Sequence, residues 1–160
     1  MRLGDFVLEE AIIRELRSGT KPDTLAEMVQ YIVEAGCLEP EAADSVVDAL
    51  MAREEIGSTG IGQGVAIPHA KHEAVRRLIG GYGHSSGGVE FDSLDGQPVH
   101  SVFLILWPDG VIGPHLEAIA QISRLLKQKD LLDRLTACSE KREIVDLFAE
   151  VDQQAEEVAS

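Results

Sequence analysis

Two histidines of this chain sit where backbone chemistry would hold them in a fixed direction. His69 closes the segment "IGQGVAIPHAKH", residues 61–72, directly after Pro68. A residue before proline is pushed toward extended backbone and proline fixes its own φ, so the approach to His69 is stiff and the spacing places it on an aimed loop. His115 follows Pro114 in "GVIGPHLEAIAQISRLL", at the expected first turn of a helix. A helix start offers unpaired N–H groups and a positive dipole end, which keep an imidazole neutral and favour an anion beside it; a histidine that merely packs there is the other reading.

Between a helix and the apolar run before His69 lies "GSTGIGQG", residues 57–64, with four glycines and two hydroxyl side chains. Successive peptide N–H groups in such a loop can form an anion-binding concavity, although the same composition serves an ordinary turn. No Gly-Lys-Ser/Thr ending, G-x-G-x-x-G or G-x-S-x-G is present, which argues against a nucleotide loop or a hydrolase elbow. Arg53, at the end of the preceding helix, is the nearest cation in sequence, and it could equally be a solvated helix-end arginine. His69 and His72 are three apart, but H-E-x-x-H is missing and Pro68 disfavours a helix carrying two metal ligands. His84 and His100 fall in strand regions without a visible partner and stay outside the candidate site.

The elements that must position these residues follow from periodicity. Thr20 and Pro22 open a helix whose Leu25, Met28, Val29 and Ile32 recur at helical spacing until Gly36. Pro40 opens a second, with Ala43, Val46, Val47, Leu50 and Met51 on one face. Val7–Ile13 is a weak strand because Glu9 and Glu10 interrupt it. Residues 78–86 and 101–107 form strands, and the second, "SVFLILW", is so uniformly apolar that both its faces should be covered. Asp95-Gly96 marks a turn between them. Leu116, Ile119, Ile122 and Leu126 mark a long helix, shorter helices are expected near 130–136 and 140–149, and the polar tail, 151–160, should fray. Strands interspersed with helices predict a layered α/β fold in one domain spanning 1–160.

Composition narrows the partners. The 160 residues are 44% hydrophobic, enough for a core, and 14 basic against 28 acidic residues give a formal charge of −14. That charge disfavours nucleic acid and anionic membrane and favours a basic protein. No run reaches a membrane-spanning length and the N-terminus lacks a signal pattern, so a cytoplasmic protein without membrane insertion is expected. Cys37 and Cys138 have neither metal spacing nor a disulfide pattern.

"REEIGSTGIGQGVAIPHA" followed by "HLEAIAQISRLL" resembles the type 2 enzyme IIA domain of the bacterial phosphoenolpyruvate-dependent phosphotransferase system, in its fructose/mannitol and nitrogen-regulatory branches. The resemblance runs over almost the whole chain. It implies an α/β/α sandwich around a mixed sheet, with His69 as the phosphoryl acceptor in a shallow surface cleft and His115 as a second active-site histidine. It also implies a phosphoryl donor, the small histidine phosphocarrier protein HPr. The acceptor would be a separate IIB component or a regulated target protein; the lack of a visible IIB motif or hydrophobic span leans toward the regulatory branch. A histidine with pKa near about 6.5 is largely neutral and nucleophilic at neutral pH. Arg53, Ser58, Thr59, Gly60 and His115 would then align and stabilise the phosphoryl oxygens, with no metal, nucleotide or other cofactor required. A non-phosphorylated binding module on the same fold and a metal hydrolase using His69, His72 and His115 remain the alternatives.

Overall fold

The computed structural model describes residues 1–159; Ser160, the end of the tail expected to fray, lies outside the described residues. Thr20 caps helix α1 (Lys21–Glu34) by accepting from the Asp23 amide at 3.4 Å, and Gly36, with φ +78°, ends the segment in the left-handed region. Leu25, Met28, Val29 and Ile32 are the buried face of α1, as their spacing requires. A 3-10 turn at Pro40–Ala42 leads into α2 (Ala43–Ile56), whose buried stripe is Val46, Leu50 and Glu54.

One mixed six-stranded sheet organises the chain. Strand β1 (Val7–Ile13) lies at one edge, parallel to β5 (Ile79–Val89), which pairs antiparallel with β6 (Val99–Pro108). Beyond β6 come β3 (Val65–Ala66), parallel to it, and β2 (Gly60–Gly62), antiparallel to β3. Strand β4 (His69–His72) also pairs with β6 in parallel, further along its length. The stretch from 60 to 72 is therefore not the loop expected around His69: three strands of two to four residues zip it onto the sheet, and His69 is the first residue of β4.

Helices cover both faces, making the expected three-layer α/β/α sandwich. Helices α1 and α2 pack with Ala66, Val102, Leu104 and Leu106 on one side. The other side carries α3 (Pro114–Leu126), α4 (Lys129–Ala137) and α5 (Lys141–Ala159), which bury Ile122, Leu131, Leu147 and Phe148 against Val65, Tyr82, Phe103 and Ile105. β6 alternates between the two cores, which explains its unbroken apolar sequence. Each fully buried aliphatic or aromatic side chain contributes roughly 1.5–3 kcal/mol relative to exposure, so this strand stabilises both cores at once. Leu116, although at helical spacing with the others, is 58% exposed on the outer side of α3.

The tail departs from expectation. Helix α5 continues through 151–159, with Val151 and Asp152 buried. The Asp152 carboxylate accepts from the backbone N–H groups of Leu3 at 2.7 Å and Gly4 at 2.9 Å, satisfying donors at the N-terminal 3-10 turn, Leu3–Asp5. A polar composition hid this long-range cap. Among the described residues no helix is long and apolar enough to cross a membrane.

Candidate functional site

The end of β6 and the start of β4 bring His69 to the surface beside Trp107. Register pairs His69 with Ile105 and Lys71 with Trp107, while the Pro68 carbonyl accepts from Ile105 N–H at 2.9 Å. His69 is half-buried. Its Nδ1 lies 2.7 Å from the Ile67 carbonyl oxygen, and since a carbonyl can only accept, Nδ1 carries the proton and donates. The other ring nitrogen, Nε2, therefore holds a lone pair. Neutral imidazole with a fixed tautomer is the nucleophilic form of histidine.

His115 arrives from α3. Gly113, with φ +120°, turns the chain into the helix, Pro114 occupies the first helical position, and His115 the second. Its ring stacks on Trp107 with centroids 4.0 Å apart and planes 3° from parallel, and the same indole lies 6.0 Å from the His69 ring at 25°. Trp107 thus joins the two histidines. His115 Nδ1 is buried with no hydrogen-bond partner among the described residues. A buried orphan N–H is rarer than a buried orphan acceptor, which favours a bare Nδ1 and a proton on Nε2.

Arg53, in the last turn of α2, donates to the Gly57 carbonyl at 2.8 Å. Burial holds the His69 proton affinity below the usual histidine range; the Ile67 carbonyl and the Glu54 charge oppose this, and the Arg53 and His115 charges add to it. Burial likewise lowers that of His115. Both rings are thereby kept neutral near neutral pH.

The glycine loop is placed beside this group, but its polar groups turn inward. The Ser58 hydroxyl donates to the Phe91 carbonyl and accepts from Gly60 N–H at 3.0 Å. The Thr59 hydroxyl donates to Glu54 Oε1, and its amide donates to Glu54 Oε2 at 3.1 Å. At Gly60 a Cβ would collide with Ser93 Oγ, and the Gly60 carbonyl accepts from Leu94 N–H at 3.2 Å. The expected anion concavity from Ser58, Thr59 and Gly60 is accordingly replaced in this structure by a close-packed brace.

His72 belongs elsewhere, because residues three apart on a strand point to opposite faces. Its Nδ1 accepts from Ala74 N–H at 3.0 Å and its Nε2 meets Ser45 Oγ at 2.8 Å, across α2. His84 and His100 lie farther along the sheet, with His100 Nδ1 donating to the Ser85 carbonyl at 2.7 Å. Among the described residues, no group of three or more His, Cys, Asp or Glu could hold a metal ion.

Two residues escaped the sequence reading. Trp107 was legible only as the end of an apolar strand, although it is the sole tryptophan. Glu54 carried a signal: it follows Val46 and Leu50 at i+4 and i+8, so a carboxylate continues a buried stripe. It pairs with Lys21 Nζ at 3.0 Å, both side chains being almost fully buried.

A pH test follows from the burial. His69, His84 and His115 all bind protons less readily folded than free, with burial the leading cause in each. The unfolded chain takes up these protons first, so stability is full above about pH 6.5 and falls as pH drops below it. Denaturant midpoints measured between about pH 7.5 and 5.5 should decline toward acid, whereas a midpoint that rises would contradict the assignment.

A profile of the family described as phosphoenolpyruvate-dependent sugar phosphotransferase system, EIIA 2, matches residues 5–151, and the chain belongs to this family. It is a component of phosphoryl transfer. Among its relatives, the nitrogen regulatory protein of Bradyrhizobium diazoefficiens is 36% identical over 149 residues, covering 93% of this chain and 95% of that protein. The fructose-specific EIIABC component of Bacillus subtilis is 35% identical over 152 residues, which are 95% of this chain but 24% of that larger protein. In structure, nitrogen regulatory protein IIA-Ntr from Neisseria meningitidis superposes with a TM-score of 0.80 at 31% identity, covering 91% of this chain and 98% of the other. IIA mannitol from Escherichia coli shares the fold, with a TM-score of 0.72 at 23% identity over 87% of this chain and 96% of that one.

Proposed function

We propose that this protein accepts a phosphoryl group on His69 Nε2 from phosphorylated HPr and hands it on from there. The observation that carries the reading is the 2.7 Å contact of His69 Nδ1 with the Ile67 carbonyl, which leaves Nε2 as the free lone pair. In the forward step that lone pair attacks the phosphorus of a donor phosphohistidine whose remote ring nitrogen is protonated. The new N–P bond forms as the donor's N–P bond breaks, its electron pair returning to the donor ring. The donor leaves as neutral imidazole, and His69, retaining the Nδ1 proton, becomes the cationic phosphoimidazole. No proton has to change hands, so the protein's task is alignment and charge stabilisation. Arg53 supplies positive charge and His115 Nε2–H supplies a donor. Ser58, Thr59 and Gly60 shape the cleft from behind.

The surroundings suit a protein donor better than a small one. Ile56 and Ile61 flank the glycine loop and are 83% and 46% exposed; Leu94, bonded to Gly60, is 84% exposed. On the other side Val111, Ile112 and Leu116 surround His115 in sequence, at 42%, 86% and 58%. Six large apolar side chains exposed on segments bordering one cleft fit a macromolecular contact. The onward acceptor is a IIB component or a regulated protein. The similarity to nitrogen regulatory proteins over nearly the whole of both chains favours the regulatory role.

Incubation with phosphoenolpyruvate, enzyme I and HPr should add the mass of one phosphoryl group, removable by mild acid; no uptake would defeat the reading. The formal charge of −14 should also assist encounter with a basic partner. Added salt is expected to slow phosphorylation through the association rate while leaving the single-turnover rate of the docked pair unchanged. Stopped-flow or quench measurements at several salt concentrations check this, and a salt-independent second-order rate would count against electrostatic recruitment.

A further inference from the structure

A line of hydrogen bonds runs from the first residue of α1 to the ring of His69. Lys21 Nζ bonds Glu54 Oε2 at 3.0 Å, and the Glu54 carboxylate accepts both the amide and the hydroxyl of Thr59. The Thr59 carbonyl accepts from Ile67 N–H at 3.0 Å, and the Ile67 carbonyl accepts from His69 Nδ1 at 2.7 Å. Glu54, Thr59 and Ile67 are all buried, at 6%, 4% and 4% exposure. We propose that this relay sets the tautomer of His69, making Glu54, held by Lys21, a positioning residue for phosphoryl transfer.

The physical case rests on what each link would do alone. Ile67 lies between Ala66, paired to β6, and Pro68, so its carbonyl direction depends on how the short strand β3 is held from its other side. That side is the Thr59 carbonyl. Thr59 in turn has two donors in a buried place, and only a carboxylate offers two strong acceptors to both at once. A buried carboxylate needs a cation, and Lys21 provides it, its ammonium also lying 5.2 Å from the centre of the Phe91 ring. The result is an Nδ1–H that cannot rotate away from its acceptor. In free imidazole rings the two tautomers interconvert freely; here one is selected. After transfer the ring is cationic and must keep that Nδ1 proton, so the same carbonyl stabilises the phosphorylated form. The Glu54 charge acts in the same direction, favouring a proton on His69 against the effect of burial.

The effect on transfer rests on the reading of His69 as phosphoryl acceptor, whereas the tautomer itself does not. Nitrogen-15 NMR of the full chain labelled at histidine reads the tautomer directly, in unphosphorylated protein. Glu54→Gln replaces one of the two acceptor oxygens with an NH2 group that opposes a Thr59 donor. Its His69 tautomer ratio should move at least about tenfold toward Nε2–H, the equivalent of about one lost hydrogen bond, and phosphoryl uptake from HPr should slow to a similar degree. Thr59→Val, which keeps volume and amide but lacks the hydroxyl, should move the ratio in the same direction, and Thr59→Ser should restore it. His72 is the internal control, since its contacts with Ser45 and Ala74 hold it as Nε2–H in every variant. An unchanged His69 tautomer in both folded Glu54→Gln and Thr59→Val would overturn the relay, as would a Thr59→Ser shift as large as that of Val. Failure of the wild-type chain to take phosphate would instead remove the carrier reading and leave the tautomer result standing.

Discussion

His69→Ala is expected to fold, to bind HPr and to carry no acid-labile phosphate. The variant loses the ring beside Trp107 whose Nε2 lone pair is aimed by a fixed tautomer; His100, held in the same way by the Ser85 carbonyl, lies farther along the sheet. His115 faces the same cleft, but its bare Nδ1 is buried against the protein rather than turned outward. His72 has both nitrogens engaged with Ser45 and Ala74. The structural cost is small by comparison. Removing the half-buried ring leaves the Ile67 carbonyl without its donor, worth about 1 kcal/mol, against a net stability on the order of 5–15 kcal/mol for a domain of ordinary size. Intact-mass analysis after exposure to phosphoenolpyruvate, enzyme I and HPr, with circular dichroism to show folding, decides the matter. Stoichiometric labelling of folded His69→Ala would sink the assignment.

His115→Ala should slow phosphoryl transfer by about a hundredfold, the usual scale for deleting one donor that meets developing charge. It also removes the ring stacked on Trp107, which costs about 0.5–1.5 kcal/mol of packing. His115→Gln separates the two roles, since its amide donates at similar reach but cannot titrate. If the Nε2–H bonds the phosphoryl oxygens, Gln should recover an appreciable share of the rate lost in Ala. If proton exchange were the role, Gln would be as poor as Ala. Rates toward and away from His69 must both be followed, because a group that stabilises phosphohistidine aids acceptance and can hinder onward donation. Wild-type rates in both directions for folded His115→Ala would remove His115 from the mechanism.

The parts of this fold that were legible beforehand are those with a period. The stripe Leu25, Met28, Val29 and Ile32 and the apolar run from 101 to 107 announced α1 and β6 because many residues repeat one pattern. Strands β2, β3 and β4 are two to four residues long and punctuated by glycine and proline, too short for any period to register. They exist because β6 offers β3 and β4 an edge to pair with and β3 in turn offers one to β2, a tertiary fact. The same split runs through the site. His69, His115 and Arg53 stood out through local backbone chemistry and through resemblance. The inward orientation of Ser58 and Thr59 did not: Ser58 turns to Phe91, which only packing brings near, and Thr59 turns to Glu54, close in sequence but held in place by burial and by Lys21. Asp152 is the clearest case: 149 residues separate it from the amide of Leu3 that it caps, and nothing near either end of the chain announces the contact.

The indole between the two histidines has a practical consequence. Because the chain holds a single tryptophan, its tryptophan fluorescence comes from one place, and that place is between His69 and His115. An imidazole stacked at 4.0 Å quenches an indole differently when it is charged and when it is neutral, and a dianionic group placed beside it would alter the local field again. The protein is thus its own optical probe. If His69 takes the phosphoryl group as proposed, its arrival and departure should be visible in real time on unlabelled material, with no radioactive phosphate and no engineered dye.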